Sequence, residues 1–322
     1  MKACITGSVG QIGSFLCERL LLEEWDVFGL KRSDGIVPDY FNDILNHPNF
    51  NIVYGDINER SLIDSFVSYN RPDIFINCAS QSSVTESRTD PVYAARTTGD
   101  SVEVMLQAIK KYSPGTRFVT LGSSEMFGLV SPPPQNETSP FDMPGTSPYA
   151  AAKIKAYQAT LSYRYDHKLF ASNAICFNSE SPRRPDSYVT RKITKAAAAI
   201  KLGLQDKLYL GNIQSLRDFS HASDVADAVY RIVTADVPDN FVIASGQSHS
   251  VQEFVEVAFG RLDLDWRNYV VIDPKFFRAG KENVFCGDVT KIKSKLGWEP
   301  KYDFVGLVNE MIDYDLKLAK KM

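Results

Sequence analysis

The chain has 322 residues, 44% of them apolar, enough to bury a large core and to divide into two lobes. Its 36 Lys and Arg against 39 Asp and Glu leave a net charge of −3, which gives no electrostatic reason to expect nucleic acid or an anionic membrane as partner. No apolar run is long enough for a bilayer span, and the N-terminal apolar stretch leads straight into a glycine motif with no room for a signal peptide, so a cytoplasmic protein is expected.

Taken in chain order, short runs rich in Val, Ile and Phe alternate with helical patterns. Strands are expected at Lys2–Thr6, Asp26–Leu30, Ile52–Tyr54, Ile74–Asn77 and Arg117–Leu121. Helices are expected at Ile12–Leu22, Arg60–Tyr69 and Ser101–Lys111. This alternation predicts an α/β fold, a Rossmann-like doubly wound parallel sheet with helices on both faces and ligands at the carboxyl ends of its strands. A proline-rich loop, Ser131–Pro148, is placed to cover such a pocket. Beyond it the pattern is less regular and ends in a polar helix, Phe304–Lys321. The expectation is a dinucleotide-binding domain of residues 1–177 plus about 213–245, and a second, smaller α/β substrate lobe of about 178–212 and 246–322.

The stretch "ITGSVGQIGSFL" puts Gly7, Gly10 and Gly13, with Gln11 and Ile12 between them, where the first strand turns into the first helix. Such glycines allow a tight turn, close approach of backbone to a pyrophosphate, and close helix–strand packing, with the helix N-terminus facing the phosphates. After the second strand, where a carboxylate would take the ribose hydroxyl of NAD, the chain has Lys31-Arg32. Two cations there favour a 2′-phosphate, hence NADP. Asp56-Ile57 after the third strand offers an acid for the adenine amino group and an apolar flank for its ring.

"SPYAAAK" carries Tyr149 and Lys153 at i and i+4, on one helix face, with Ser147 and Pro148 as cap and first position. An ammonium beside a phenol favours the phenolate, and Tyr149 is then placed to take a hydroxyl proton as hydride leaves the same carbon. Upstream, "LGSSEMFG" puts Ser123, Ser124 and Glu125 at a strand end. Five scattered cysteines (Cys4, Cys17, Cys78, Cys176, Cys286) show no metal-ligand or redox spacing, which predicts free thiols and no metal site.

These residues resemble the extended short-chain dehydrogenase/reductases. Within that superfamily, "SSE" before "SPYAAAK", then "FNSESPRR", "VTRKI", "LGN", "RDFSHASDVADAV" and "GDVTKIKSKLGWEP" resemble the GDP-mannose 4,6-dehydratase family over nearly the whole chain. The resemblance implies an NADP-dependent lyase that converts a GDP-hexose to a GDP-4-keto-6-deoxyhexose, working as a homo-oligomer, dimer or tetramer. It implies catalytic roles for Ser123, Glu125, Tyr149 and Lys153, with Glu125 as base at C5 and acid at C6. It implies NADP contacts from Arg32, Asp56, Ile57, Ala79, Ser80, Gln81, Tyr93, Lys153 and Arg184. GDP-sugar contacts fall on Ser82, Asn178, Lys192, Arg217 and Arg278, and His221 is expected to pack rather than catalyse. The chain departs from the family pattern at Ser83 and Ser179, where histidines are usual, and at Phe127, where a tyrosine is usual. Those departures keep open a 4,6-dehydratase of another GDP-sugar (GDP-N-acetylglucosamine or a GDP-heptose). A GDP-4-keto-sugar reductase or epimerase is the rival on the same scaffold.

Overall fold

The computed structural model describes residues 1–143, 147–277 and 284–321. Its strands are β1 (Lys2–Thr6), β2 (Asp26–Lys31), β3 (Phe50–Tyr54), β4 (Ile74–Asn77), β5 (Arg117–Ser123), β6 (Ala171–Cys176), β7 (Asn178–Glu180), β8 (Leu208–Leu210), β9 (Leu216–His221), β10 (Asn240–Ile243), β11 (Ser248–Ser250) and β12 (Val270–Ile272). Seven of them form one parallel sheet in the order β10-β6-β5-β4-β1-β2-β3. The order reverses between β1 and β4, which places the ligand crevice of a doubly wound sheet at the carboxyl ends of those two strands.

The central strands are buried on both faces, so they read as continuous apolar runs: Ala3, Cys4 and Ile5 on β1, Ile74, Phe75 and Ile76 on β4. One face is closed by the helices Gln11–Leu22 and Ala222–Thr234, whose Leu16, Leu20, Val225, Val229 and Ile232 pack with Ile5, Ile76 and Val119. The other is closed by Arg60–Asn70, Ser101–Tyr112 and Pro148–Tyr165, through Phe66, Met105, Leu106, Ile109 and Ala156 against Phe75 and Phe118.

The expected strands and helices of the first half are present, with ends shifted by up to two residues. The shift with consequences is at β5, which runs to Ser123 because Gly122 and Ser123 pair in register with Ile175 and Cys176 of β6. Ser123 is therefore the last strand residue, at the ligand end of the sheet.

The remaining strands make a three-stranded sheet, β11-β9-β7, and a parallel pair, β12 with β8. Helices Val189–Lys201, Val251–Gly260 and Phe304–Ala319 enclose a separate core of Ile193, Phe254, Phe259, Leu307 and Met311. Asp218 on β9 locks this part to the segment beside β10: its buried carboxylate accepts from the Ser245, Gly246 and Gly287 N–H groups at 2.7, 3.0 and 3.1 Å. The proline-rich loop is pinned to that same edge. Gln135 pairs with Gly287, and the Glu137 carboxylate accepts the Val242 N–H at 2.7 Å.

The turn from β1 into the first helix has no room for side chains. Gly7 has φ +68°, and a Cβ on Gly13 would stand 2.2 Å from the Gly7 carbonyl oxygen. Gly13→Ala should therefore lower stability by about 1–3 kcal/mol despite the better helix propensity of Ala, because the clash is with backbone. Gly115→Ala, with nothing within 4 Å of a Cβ, serves as the neutral control in the same denaturation series.

Candidate active site

The first helix presents its N-terminus to the crevice with Gly10 as cap and no side-chain cap bond, leaving backbone donors for an anion. A Cβ on Gly7 would lie 2.9 Å from the Ala79 nitrogen, so β1 and β4 together form a narrow backbone cradle that fits a dinucleotide diphosphate. Ala79 is held there by its N–H to Thr6 Oγ1 at 3.3 Å, and Gln81 by its N–H to Thr98 Oγ1 at 3.1 Å, with half-buried Ser80 between them. Ile12 packs partly against the core, so its contribution at the cradle is backbone. Gln11 differs from a simple loop residue. Its amide donates to the Ser179 carbonyl (2.9 Å) and accepts from Ser181 Oγ (2.7 Å), tying the Asn178–Arg184 segment to the helix N-terminus.

Beyond the carboxyl ends of β2 and β3 lies a cavity of about 440 Å³ lined by Arg32, Ser33, Asp34, Gly55, Asp56, Glu59 and Tyr93, where the adenosine was expected. Arg32 reaches the Tyr93 hydroxyl at 3.1 Å and Asp34 at 3.5 Å. Two expectations are corrected here. Lys31 is not a free cation: it is buried, and its Nζ donates to the carbonyls of Arg32 and Gly35. Ile57 is also buried, packed with Ile63, Phe66 and Val67, so its side chain is not an open flank for a ring.

The catalytic candidates converge at the carboxyl end of β5. Ser147 caps the Pro148–Tyr165 helix by accepting the Ala150 N–H (3.1 Å), and Pro148 sits in the first turn. Tyr149 and Lys153 are both buried on the face against β5. Lys153 Nζ donates to the Leu121 carbonyl at 2.6 Å and lies 5.8 Å from the centre of the Tyr149 ring. Ser123 Oγ accepts the Glu125 N–H (3.3 Å), which caps the short turn Ser124–Phe127 and turns Glu125 toward the same space. The half-buried Glu125 carboxylate makes no hydrogen bond or ion pair among the described residues.

Electrostatics departs from the sequence expectation. Burial pushes the Tyr149 phenol above its ordinary value, offset in part by the Ser123 hydroxyl and reinforced by the nearby Tyr188 and Glu125. Lys153 does not counter this, because burial lowers its own pKa from 10.5 to about 8 and its donor is held by Leu121.

Three supporting residues carried no sequence signal. Ser87 Oγ accepts the Tyr149 N–H (3.2 Å), bracing the catalytic helix. Thr98 fixes the Gln81 backbone from an irregular helical turn. Tyr188 Oη lies 2.8 Å from Ser82 Oγ, with the Arg184 guanidinium 3.6 Å over its ring and Arg184 paired to buried Glu180 at 3.2 Å. Ser82, expected to meet the sugar, thus has a protein partner.

The other substrate candidates spread along the second set of elements. Asn178 opens β7 opposite Phe219 of β9. Lys192 donates to the Tyr209 carbonyl (2.7 Å) and stands 4.4 Å over the Phe276 ring. Arg217 lies 5.6 Å over Phe285. Arg278 lies outside the described residues. His221 is packed, stacked on Tyr302 at 3.9 Å with Nε2 2.9 Å from Glu310. All five cysteines are free, no described helix is long and apolar enough to cross a membrane, and no metal-competent cluster occurs among the described residues.

The depressed Lys153 pKa has a pH signature. Between about 8 and 10.5 the unfolded chain binds this proton and the folded chain does not, so its contribution to stability rises with pH across that window. Wild type should gain on Lys153→Met by up to about 1.4 kcal/mol per pH unit there, with no differential slope below pH 7, measured by urea unfolding.

The family model described as GDP-mannose 4,6 dehydratase matches residues 4–311. GDP-mannose 4,6 dehydratase 1 of Arabidopsis thaliana is 41% identical, covering 99% of this chain and 91% of its own length. Among solved structures, dTDP-glucose 4,6-dehydratase from Bacillus anthracis in complex with NAD superposes with TM-score 0.85 at 22% identity, covering 99% of this chain and 98% of the other. The RMD protein of Pseudomonas aeruginosa complexed with NADPH gives TM-score 0.81 at 21% identity and covers 98% of each. These two structures agree with the fold, and the full-length sequence match places the chain in the GDP-mannose 4,6-dehydratase family.

Proposed function

We propose that the chain is an NADP-dependent GDP-sugar 4,6-dehydratase acting on GDP-mannose, with Ser123, Glu125, Tyr149 and Lys153 as its catalytic set. The carrying observation is the placement of an unpaired carboxylate, Glu125, in the space of Tyr149 and Ser123. A reductase or epimerase has no use for an acid/base group there, whereas dehydration across C5–C6 needs one. NADP, rather than NAD, is supported by Arg32, the first residue after β2 and part of the wall of the adenosine cavity.

The crevice beside Tyr149 would hold an oxidised nicotinamide, which would supply a hydride acceptor and donor for the sugar carbons and a positive charge favouring the Tyr149 phenolate. Tyr149 takes the C4 hydroxyl proton, with Ser123 hydrogen-bonded to the same oxygen and Lys153 fixing the helix that carries the phenol. The 4-ketone acidifies C5–H. Glu125 removes that proton and delivers it to the C6 hydroxyl, which leaves as water; once C6 carries hydride again, C5 takes up one proton, and Tyr149 gives up the one it took from the C4 hydroxyl, so the protons balance. Gln11, Arg184 and the cradle of Gly7 and Ala79 hold the diphosphate end, while Asn178, Lys192, Arg217 and Arg278 serve the GDP-sugar.

The division into a dinucleotide domain (1–177 and about 213–245) and a substrate lobe (about 178–212 and 246–322) belongs to this reading, as do a cytoplasmic location and a homo-oligomeric state. A second hexose stays in view for a specific reason. Ser83, at a usual histidine position, caps the Val84–Thr89 helix, and Ser179, at another, donates to the Phe177 carbonyl (3.3 Å). Neither reaches out as a histidine would, so the pocket has room for a substituent. Incubation with GDP-mannose and with GDP-N-acetylglucosamine, followed by mass spectrometry for loss of one water, decides between them.

The roles separate kinetically. Glu125→Gln should still bind GDP-mannose and oxidise C4 in a single turnover, yet lose water elimination by roughly 10²–10⁴-fold. Tyr149→Phe should block C4 oxidation itself. Near-normal dehydration and C5 exchange in heavy water by Glu125→Gln would reduce Glu125 to a turn residue.

A further inference from the structure

We infer that Lys31 is a positioning residue that sets dinucleotide preference through Arg32, and is not itself a second cation on the phosphate; the inference rests on the NADP reading above. Lys31 is the last residue of β2 and is only 5% exposed. Its ammonium donates to the Arg32 carbonyl at 2.8 Å and to the Gly35 carbonyl, so it grips both ends of the turn 32–35. The Tyr54 ring stands 5.5 Å away on the outer side. A Cβ on Gly35 would come within 3.3 Å of Nζ, which shows how closely the turn wraps its lysine.

That turn is one wall of the adenosine cavity. Arg32, Ser33 and Asp34 line it and Lys31 does not. The Arg32 side chain is 58% exposed, and its partners are the Tyr93 hydroxyl and the still more open Asp34. A surface guanidinium with such partners has many orientations, and holding its backbone in place cuts the ordering cost of gripping a phosphate. The buried ammonium supplies that hold: with two donors committed to carbonyls, it stiffens the turn from beneath. Two adjacent cations in the sequence are thus one ligand and one brace.

A double-mutant cycle on the full-length chain, read by calorimetric titration with NADP⁺ and separately with NAD⁺, tests this. Arg32→Ala should weaken NADP⁺ at least tenfold and leave NAD⁺ within about threefold. Lys31→Met should lower the NADP⁺/NAD⁺ preference about three- to tenfold when Arg32 is present, and no further when Arg32 is already Ala. An equal loss of preference in both backgrounds makes Lys31 a direct phosphate ligand and overturns the inference. So does an unchanged preference in Lys31→Met while Arg32→Ala loses it, an outcome that leaves the NADP reading standing. If Arg32→Ala itself keeps the preference, the NADP reading falls and the inference with it. Should Lys31→Met not fold, Lys31→Gln, which keeps one carbonyl bond, enters the same cycle with the same outcomes.

Discussion

A buried ammonium held on a strand carbonyl sets the geometry of the reactive end. Lys153 has no carboxylate to neutralise it. It gives its donor to Leu121, two residues before Ser123, and burial lowers its pKa to about 8. That one bond joins the Pro148–Tyr165 helix to β5 at the point where the strand ends. Tyr149, one turn earlier on the helix, is thereby placed over Ser123 and Glu125. Ser147 and Ser87 satisfy first-turn donors of the same helix, so its start is fixed by three independent contacts. What the buried ammonium does there is hold the helix to the strand end.

Polar residues in this protein divide between chemistry and bracing, and residue type does not say which. Gln11, Lys31, Asp218 and Arg183 all lie in motifs that read as ligand contacts or beside them. Gln11 ties the Asn178–Arg184 segment to the first helix, and Arg183 bonds Ser14 across the same gap at 3.0 Å while covering the Phe15 ring at 3.8 Å. Asp218 gathers three backbone donors, of which the buried Gly287 N–H would cost about 1–3 kcal/mol if left without a partner. Arg191 pairs with the equally buried Asp315 at 2.7 Å. Removing one partner of such groups leaves an uncompensated charge, so these positions are as intolerant as catalytic ones for a different reason.

This division explains what the sequence could and could not tell. The period of the strands and helices, the glycine spacing and the i, i+4 pair are local signals, and each follows from backbone geometry within a few residues; the fold and the convergence of Tyr149 with Lys153 were legible from them. Tyr188, Thr98 and Ser87 were not, because their roles depend on partners 106, 17 and 62 residues away. Lys31, the last residue of β2, was misread for a related reason. A residue at a strand end points either to the ligand or under the turn, and the alternation that decides it is set by the last pleat, which cannot be placed to within one residue from sequence. The three-stranded sheet β11-β9-β7 escaped for want of length: two of its strands have three residues, too few to show a period.

The same logic bears on Glu125. The fully buried carboxylates among the described residues are matched: Glu180 by Arg184 and Thr190, Asp218 by backbone donors, Asp224 by the Lys301 and Tyr302 N–H groups. Each is pushed up by burial and pulled back by its partners. The Ser123 hydroxyl already caps the turn Ser124–Phe127, and the Glu125 carboxylate takes no part in it. The cap and the acid are separate devices two residues apart: Ser123 fixes the backbone of the turn, and the Glu125 carboxylate is not used in fixing it.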